Sequence, residues 1–289
     1  MMRMPIAAGT FYEASPAACR AAVRRLLEQA RLPEDAPKNC IGGLVPHAGW
    51  VCSGAVAALT FKALAQDWNG GTLVLLGAVH SRTEPQALVY PSGSWQTPLG
   101  TVAVDEEVAE ALLAASDDIV ADPNAHGGEH SLEVQLPLIQ ELWPQAKIVP
   151  IMAPPSPLAA EAGRAIGQAL AALRRRVPVI GSTDLTHYGP RYGMMPAGTG
   201  KAGLEWARRN DRKLLQLIQT MAPDPVLADT SRTHSACGGG AIAATVAACS
   251  ALGAKTATLL QHTDSVQTLR PLGMTDMENV VGYASVVFS

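Results

Sequence analysis

Three short apolar runs mark the first two-thirds of the chain, and each ends in small residues followed by a histidine. Residues 41–45 lead to His47 and residues 72–77 to His80; residues 177–180 lead through Gly181-Ser182-Thr183 to Asp184 and His187. Continuous apolar runs of this length fit strands covered on both faces. Further strands are expected at 87–90, 101–104, 147–152, 256–262 and 280–287, with 94–100 as a loop. Helical patterns alternate with them. They cover 16–29, from Ser53 or Gly54 to about 64, from a cap at Asp105 to about 115, from a cap at Ser131 to about 142, and then 159–173, 204–221, 223–229 and 241–252. Such alternation predicts an α/β fold, a layered sandwich around a central mixed, mostly parallel sheet. No composition break or internal repeat divides it, so a single domain over residues 1–289 is expected.

Composition adjusts this picture little. The chain is 48% hydrophobic and 16% charged, and aromatics make up only 4%, so its core is built mainly from Ala, Val, Leu and Ile. A net charge of −3 without a long charged block argues against nucleic-acid or membrane-surface binding. The one basic run, Arg174-Arg175-Arg176, ends a helical pattern, where cations are favoured. Five cysteines without a CxxC pattern argue against a disulfide framework and fit a reducing, cytoplasmic setting. No apolar stretch has the length of a signal peptide core or a membrane span.

The candidate chemistry lies at the strand ends. In open α/β sheets, ligands bind outside the carboxyl ends of the strands. His47 and His80 carry imidazoles suited to Fe, Cu, Zn or Ni. Cys237 precedes Gly238-Gly239-Gly240 and a helix, where the dipole and free N–H groups favour a thiolate. These three predict a metal site. Asp184 and His187 form either an acid/base pair or further ligands, the alternative being that Asp184 caps a turn and His187 bonds to backbone. His126-Gly-Gly-Glu129-His130 matches the H-x-x-E-H pattern of inverted zinc peptidases. Its two glycines, and Ser131 as a helix cap, argue that Glu129 and His130 instead line the cleft or support its ligands. Trp50, Tyr188 and Tyr192 offer an aromatic wall, with ordinary packing as the alternative. A thiol near histidine also suits nucleophilic catalysis.

Taken together, FYEAS, PHAGWVCSG, LLGAVHS, WQTPLGTVAVD, EHSLEVQLP, IVPI, GSTDLTHYG, SACGG and VVGYASVVF resemble, in order, the Memo family, also called AmmeMemoRadiSam system protein B. The resemblance implies a fold like that of the class III extradiol dioxygenases. It implies His47, His80 and Cys237 as metal-binding positions, with Asp184, His187 and His130 as catalytic or polar positions of the cleft. Where the family usually reads GPSH, this chain has Gly77-Ala78-Val79-His80. Cys237 stands where those dioxygenases place a carboxylate, and thiolate favours Cu(I) or Zn. The expected function is iron- or copper-dependent redox chemistry, zinc being the other candidate ion, on a small-molecule or peptide ligand. The alternative is a non-catalytic peptide- or metal-binding module acting with AMMECR1-domain and radical-SAM proteins.

Overall fold

The computed structural model describes residues 1–81 and 84–289. In chain order the elements are β1 (Met2–Arg3), α1 (Pro16–Gln29), β2 (Gly42–Val45), α2 (Trp50–Leu64), β3 (Thr72–Gly77), β4 (Ala87–Val89), β5 (Ser94–Thr97), β6 (Gly100–Ala103), α3 (Glu106–Leu113) and β7 (Ile119–Ala121). Then follow α4 (Leu136–Leu142), β8 (Lys147–Met152), α5 (Ala159–Ala172), β9 (Val179–Ser182), β10 (His187–Tyr188), α6 (Gly200–Gln219), α7 (Pro223–Thr233), α8 (Gly239–Ala251), β11 (Ala257–Asp264), α9 (Ser265–Leu269) and β12 (Val280–Phe288). Among the described residues, nine strands form one mixed sheet in the order β10-β12-β2-β9-β3-β8-β4-β7, with β11 also pairing β12. The centre, β2-β9-β3-β8, is parallel. A second sheet, β1-β5-β6, lies apart from it.

The wholly apolar strands behave as their composition demands. Successive side chains point to opposite faces. Val45, Leu73, Leu75, Ile148, Ile180 and Val287 therefore join α1, α2 and α4 in one core. Leu44, Val74, Leu76, Val149, Val179 and Val286 join α3, α5 and α8 in the other. The result is the expected α/β layering, with helices on both faces of the sheet.

Several boundaries differ from the sequence reading. Residues 94–97, expected as a loop, form β5 instead. Its polar residues alternate with buried Trp95 and Thr97, and it gains partners in β1 and β6. Helix α2 starts earlier than expected, at Trp50, with Gly49 as its cap. Ser131 caps no helix. Its hydroxyl donates to the Ala78 carbonyl at 3.4 Å, and α4 begins only after a 3-10 turn at Glu133–Gln135.

Candidate metal centre

Strands β2, β9 and β3 are adjacent and parallel, so their carboxyl ends open at one edge of the molecule. Val45 at the end of β2 lies level with Ser182 at the end of β9. Pro46 has no N–H to continue the ladder. The chain therefore leaves the sheet and presents His47 before entering α2. The Asp184 carboxylate, two residues past β9, accepts hydrogen bonds from the backbone N–H groups of His47 at 2.7 Å and Ala48 at 3.2 Å. Asp184 thus acts across strands, pinning the loop that carries the histidine.

Each histidine offers one ring nitrogen, and the donor atoms of His47, His80 and His130 all lie within 4.8 Å of one another. The His47 and His80 rings meet edge-on, with centroids 5.2 Å apart, while His80 and His130 stack at 4.9 Å. Cys237 stands outside this group but touches it, its Sγ 3.2 Å from His47 Nε2. His47 is buried and His80 is exposed, so the centre opens to solvent on the His80 side.

Hydrogen bonds decide whether these rings can present lone pairs to a metal ion. The Ser182 hydroxyl has one proton and gives it to the Ser131 carbonyl at 2.8 Å. Its 3.1 Å contact with His47 Nδ1 then requires that Nδ1 carry the proton and Ser182 accept it. That leaves the lone pair of His47 on Nε2, facing the Cys237 thiol. Burial lowers the pKa of His47 to about 4, with the nearby Asp184 charge opposing, so the ring is neutral near pH 7. His80 Nδ1 donates to both oxygens of Glu129, at 3.1 and 3.0 Å, which frees its Nε2 in the same way. Histidines that ligate metals have their second nitrogen held by such partners, so the donor set fits a transition-metal ion.

Glu129 is a hub. Burial opposes its ionisation, yet hydrogen bonds from His80 and Ser131 outweigh that and hold its pKa down to about 2. The Glu129 bond in turn raises the pKa of His80, against burial. Burial lowers that of His130, whose Nδ1 lies 3.6 Å from Glu129. In the expected H-x-x-E-H pattern, His126 is turned away. It is fully buried, with Nε2 bonded to the Leu88 carbonyl at 3.0 Å, and it takes no part in the cluster.

His187 begins β10 and donates from Nδ1 to the Leu185 carbonyl at 3.1 Å. It lines a cleft of about 290 Å³ with Tyr192, Met194, His234 and Cys237. Cys237 therefore joins the cleft to the histidine cluster. Burial pushes its thiol up, the Asp184 charge adding to this, so the thiol stays protonated unless a cation is present. Of the aromatic wall, only Tyr192 lines this cleft. Trp50 is buried, donating to the Val134 carbonyl at 3.0 Å, and Tyr188 is buried against Trp206.

Four residues shaping the site escaped the sequence reading. Ser182 sets the His47 tautomer, and Gln135 donates to the Pro46 carbonyl at 2.9 Å. Arg3 is buried, donating to the carbonyls of His126 at 2.9 Å and Glu129 at 2.5 Å and pairing with Glu133 at 2.8 Å. The Glu133 carboxylate also takes the N–H groups of Ile6 and Ala7 and the Tyr12 hydroxyl. Ser182 is marked in the sequence only as a hydroxyl at the last position of a buried strand, which does not distinguish an orienting serine from any other. Nothing local announces the others.

Residues 3–287 match the family described as Memo-like protein. A MEMO1 family protein of Methanopyrus kandleri is 36% identical, covering 100% of this chain and 99% of its own. A second, from Thermococcus onnurineus, is also 36% identical over 100% and 99%. A third, from Methanothermobacter thermautotrophicus, is 35% identical over 98% and 99%. Among solved structures, an uncharacterized protein from Escherichia coli K12 aligns with a TM-score of 0.43 at 13% identity, over 76% of this chain and 86% of that one. No helix among the described residues is long and apolar enough to cross a membrane.

Proposed function

The chain belongs to the Memo family, and we propose that it holds iron or copper at the His47–His80 pair for oxidation–reduction chemistry in the adjoining cleft. The observation that carries this reading is the matched anchoring of the two rings. Ser182 and Glu129 each fix an Nδ1 proton and so leave both Nε2 lone pairs free, in a group of histidines whose donor atoms lie within 4.8 Å of one another. His130 completes the group of close donors, and Cys237 lies against His47 at its edge. Imidazole and thiolate suit iron and copper, and zinc as well. A bound iron or copper ion would supply one-electron chemistry.

The chain's own residues have distinct tasks. Asp184 holds the His47 loop through backbone bonds and so fixes the ring's approach. His187, with Nδ1 tied to Leu185, keeps Nε2 free to give or take a proton in the cleft. Tyr192, edge-on to His187 at 5.0 Å, forms a wall for a small ligand.

The test is metal content per chain, by mass spectrometry, on protein purified anaerobically without chelator. Near-stoichiometric iron or copper in the wild type, lost in His47→Ala, is the expected result. Wild-type protein that takes up no metal even after reconstitution would overturn the reading. Firm metal binding with no turnover of any small substrate under O₂ would leave a binding module.

A further inference from the structure

The third ligand has two claimants, and they are held differently. His47 and His80 are anchored through their second nitrogens. His130 is not. Among the described residues neither of its ring nitrogens makes a hydrogen bond, and its nearest carboxylate oxygen, on Glu129, is 3.6 Å away, beyond hydrogen-bond length. Among the described residues packing holds its ring, against Phe11 at 4.4 Å, His80 at 4.9 Å and His47 at 5.5 Å. Its side chain is 22% exposed. It can pivot without breaking a hydrogen bond. Cys237 is fixed by its backbone, its N–H donating to the Asp184 carbonyl at 3.3 Å, while its Sγ lies against His47 Nε2. The nitrogen of His47 that faces the thiol is the one that its Ser182 bond leaves free for an ion.

We propose that His130 and Cys237 are alternative third ligands to one His47–His80 pair, so that the centre sorts ions by softness. With His130 the donors are three neutral imidazoles, which suit a divalent ion such as Zn(II). With Cys237 they are two imidazoles and a thiolate, which suits Cu(I). The idle ligand in each case stays nearby, His130 on its aromatic neighbours and Cys237 in the lining of the cleft. This inference rests on the metal-binding reading above.

The experiment measures affinity for Zn(II), and anaerobically for Cu(I), by competition with chromophoric chelators. The proteins are wild type, His47→Ala, His130→Phe and Cys237→Ser. His130→Phe keeps an aromatic ring on Phe11 and His80. It is expected to weaken Zn(II) by about tenfold or more and to leave Cu(I) within about twofold. Cys237→Ser is expected to do the reverse. Co(II)-loaded wild type should lack thiolate charge-transfer absorption. Circular dichroism identifies any variant that fails to fold, and the other single variant then carries the comparison. If the two single variants weaken both ions alike, or Co(II) shows strong thiolate absorption, the alternation is wrong while the metal site stands. If His47→Ala leaves both ions bound, the metal-binding reading itself fails.

Discussion

Glu129 brings one negative charge into the floor of the site and divides it among His80, the Ser131 N–H and the nearby His130. Glu129→Gln keeps the shape but lets the amide accept through only one oxygen. Metal affinity measured by chelator competition is expected to fall about 10–100-fold, with the circular dichroism spectrum unchanged. His126 makes a separate prediction. Burial lowers its pKa to about 4, against the pull of its bond to Leu88. The unfolded chain, with a histidine pKa near 6.5, therefore binds more protons across the interval between these values. Stability from the neutral ring is complete above about pH 6.5 and declines as pH falls toward about 4, by about 3 kcal/mol for this one group. Urea unfolding midpoints across that range should fall with pH in the wild type and fall less in His126→Phe. At this scale much of the site was legible. Small residues after an apolar run, followed by histidine, exposed His47 and His80, and the glycines after Cys237 exposed the thiol. Ser182 was hidden because a serine at a strand end looks the same whether or not it orients an imidazole. The sequence puts His130 in the cleft, but the stacking that gathers it with the other two histidines depends on Phe11 and on loop geometry, which spacing alone does not encode.

Helix α8 carries the cysteine's loop to its place, and α5 sets where α8 lies. Gly163 and Gly167 in α5 face the backbone of Ala244 and Ala248 in α8 so closely that an added Cβ would collide with main-chain atoms. The two helices touch backbone to backbone. Gly163→Ala must separate them, at a cost of about 1–3 kcal/mol, read as a lower urea midpoint. The shift would travel along α8 to its first turn, where Gly240 sits against the Ala153 and Pro154 carbonyls. Such contacts explain why the order of helices and strands could be read while its edges could not. Apolar periodicity reports which face is covered, whereas boundaries follow from close approaches between distant segments. Strand β5 shows the limit. Ser94–Thr97 reads as polar loop until β1 and β6 supply its partners.

Across the molecule, Arg3 and Glu133 tie the first strand to the loop that carries Glu129 and His130. Both are buried, the arginine also lies 4.1 Å over the Trp95 ring, and each charge is hydrogen-bonded. Arg3→Met leaves the Glu133 carboxylate without its cation, at a cost of about 3–5 kcal/mol. Adding Glu133→Gln is expected to return part of the loss in urea unfolding, and a double variant no more stable than the single one would refute the pairing. Residues 130 positions apart carry no mark of each other in the sequence, so this link was invisible there. Strand β12 has a longer reach. It is clasped by β11 on one edge and by β2 and β10 on the other. Gly282 also bonds both Thr186 and Leu185, beside His187. A ribosome delivers β2 more than two hundred residues before it delivers β12. Throughout that interval of synthesis His47 has emerged while the strand that borders β2 and seats His187 does not yet exist. The sheet edge beside His47 is therefore closed last, and any ion held there would be met by the finished fold rather than by the growing chain.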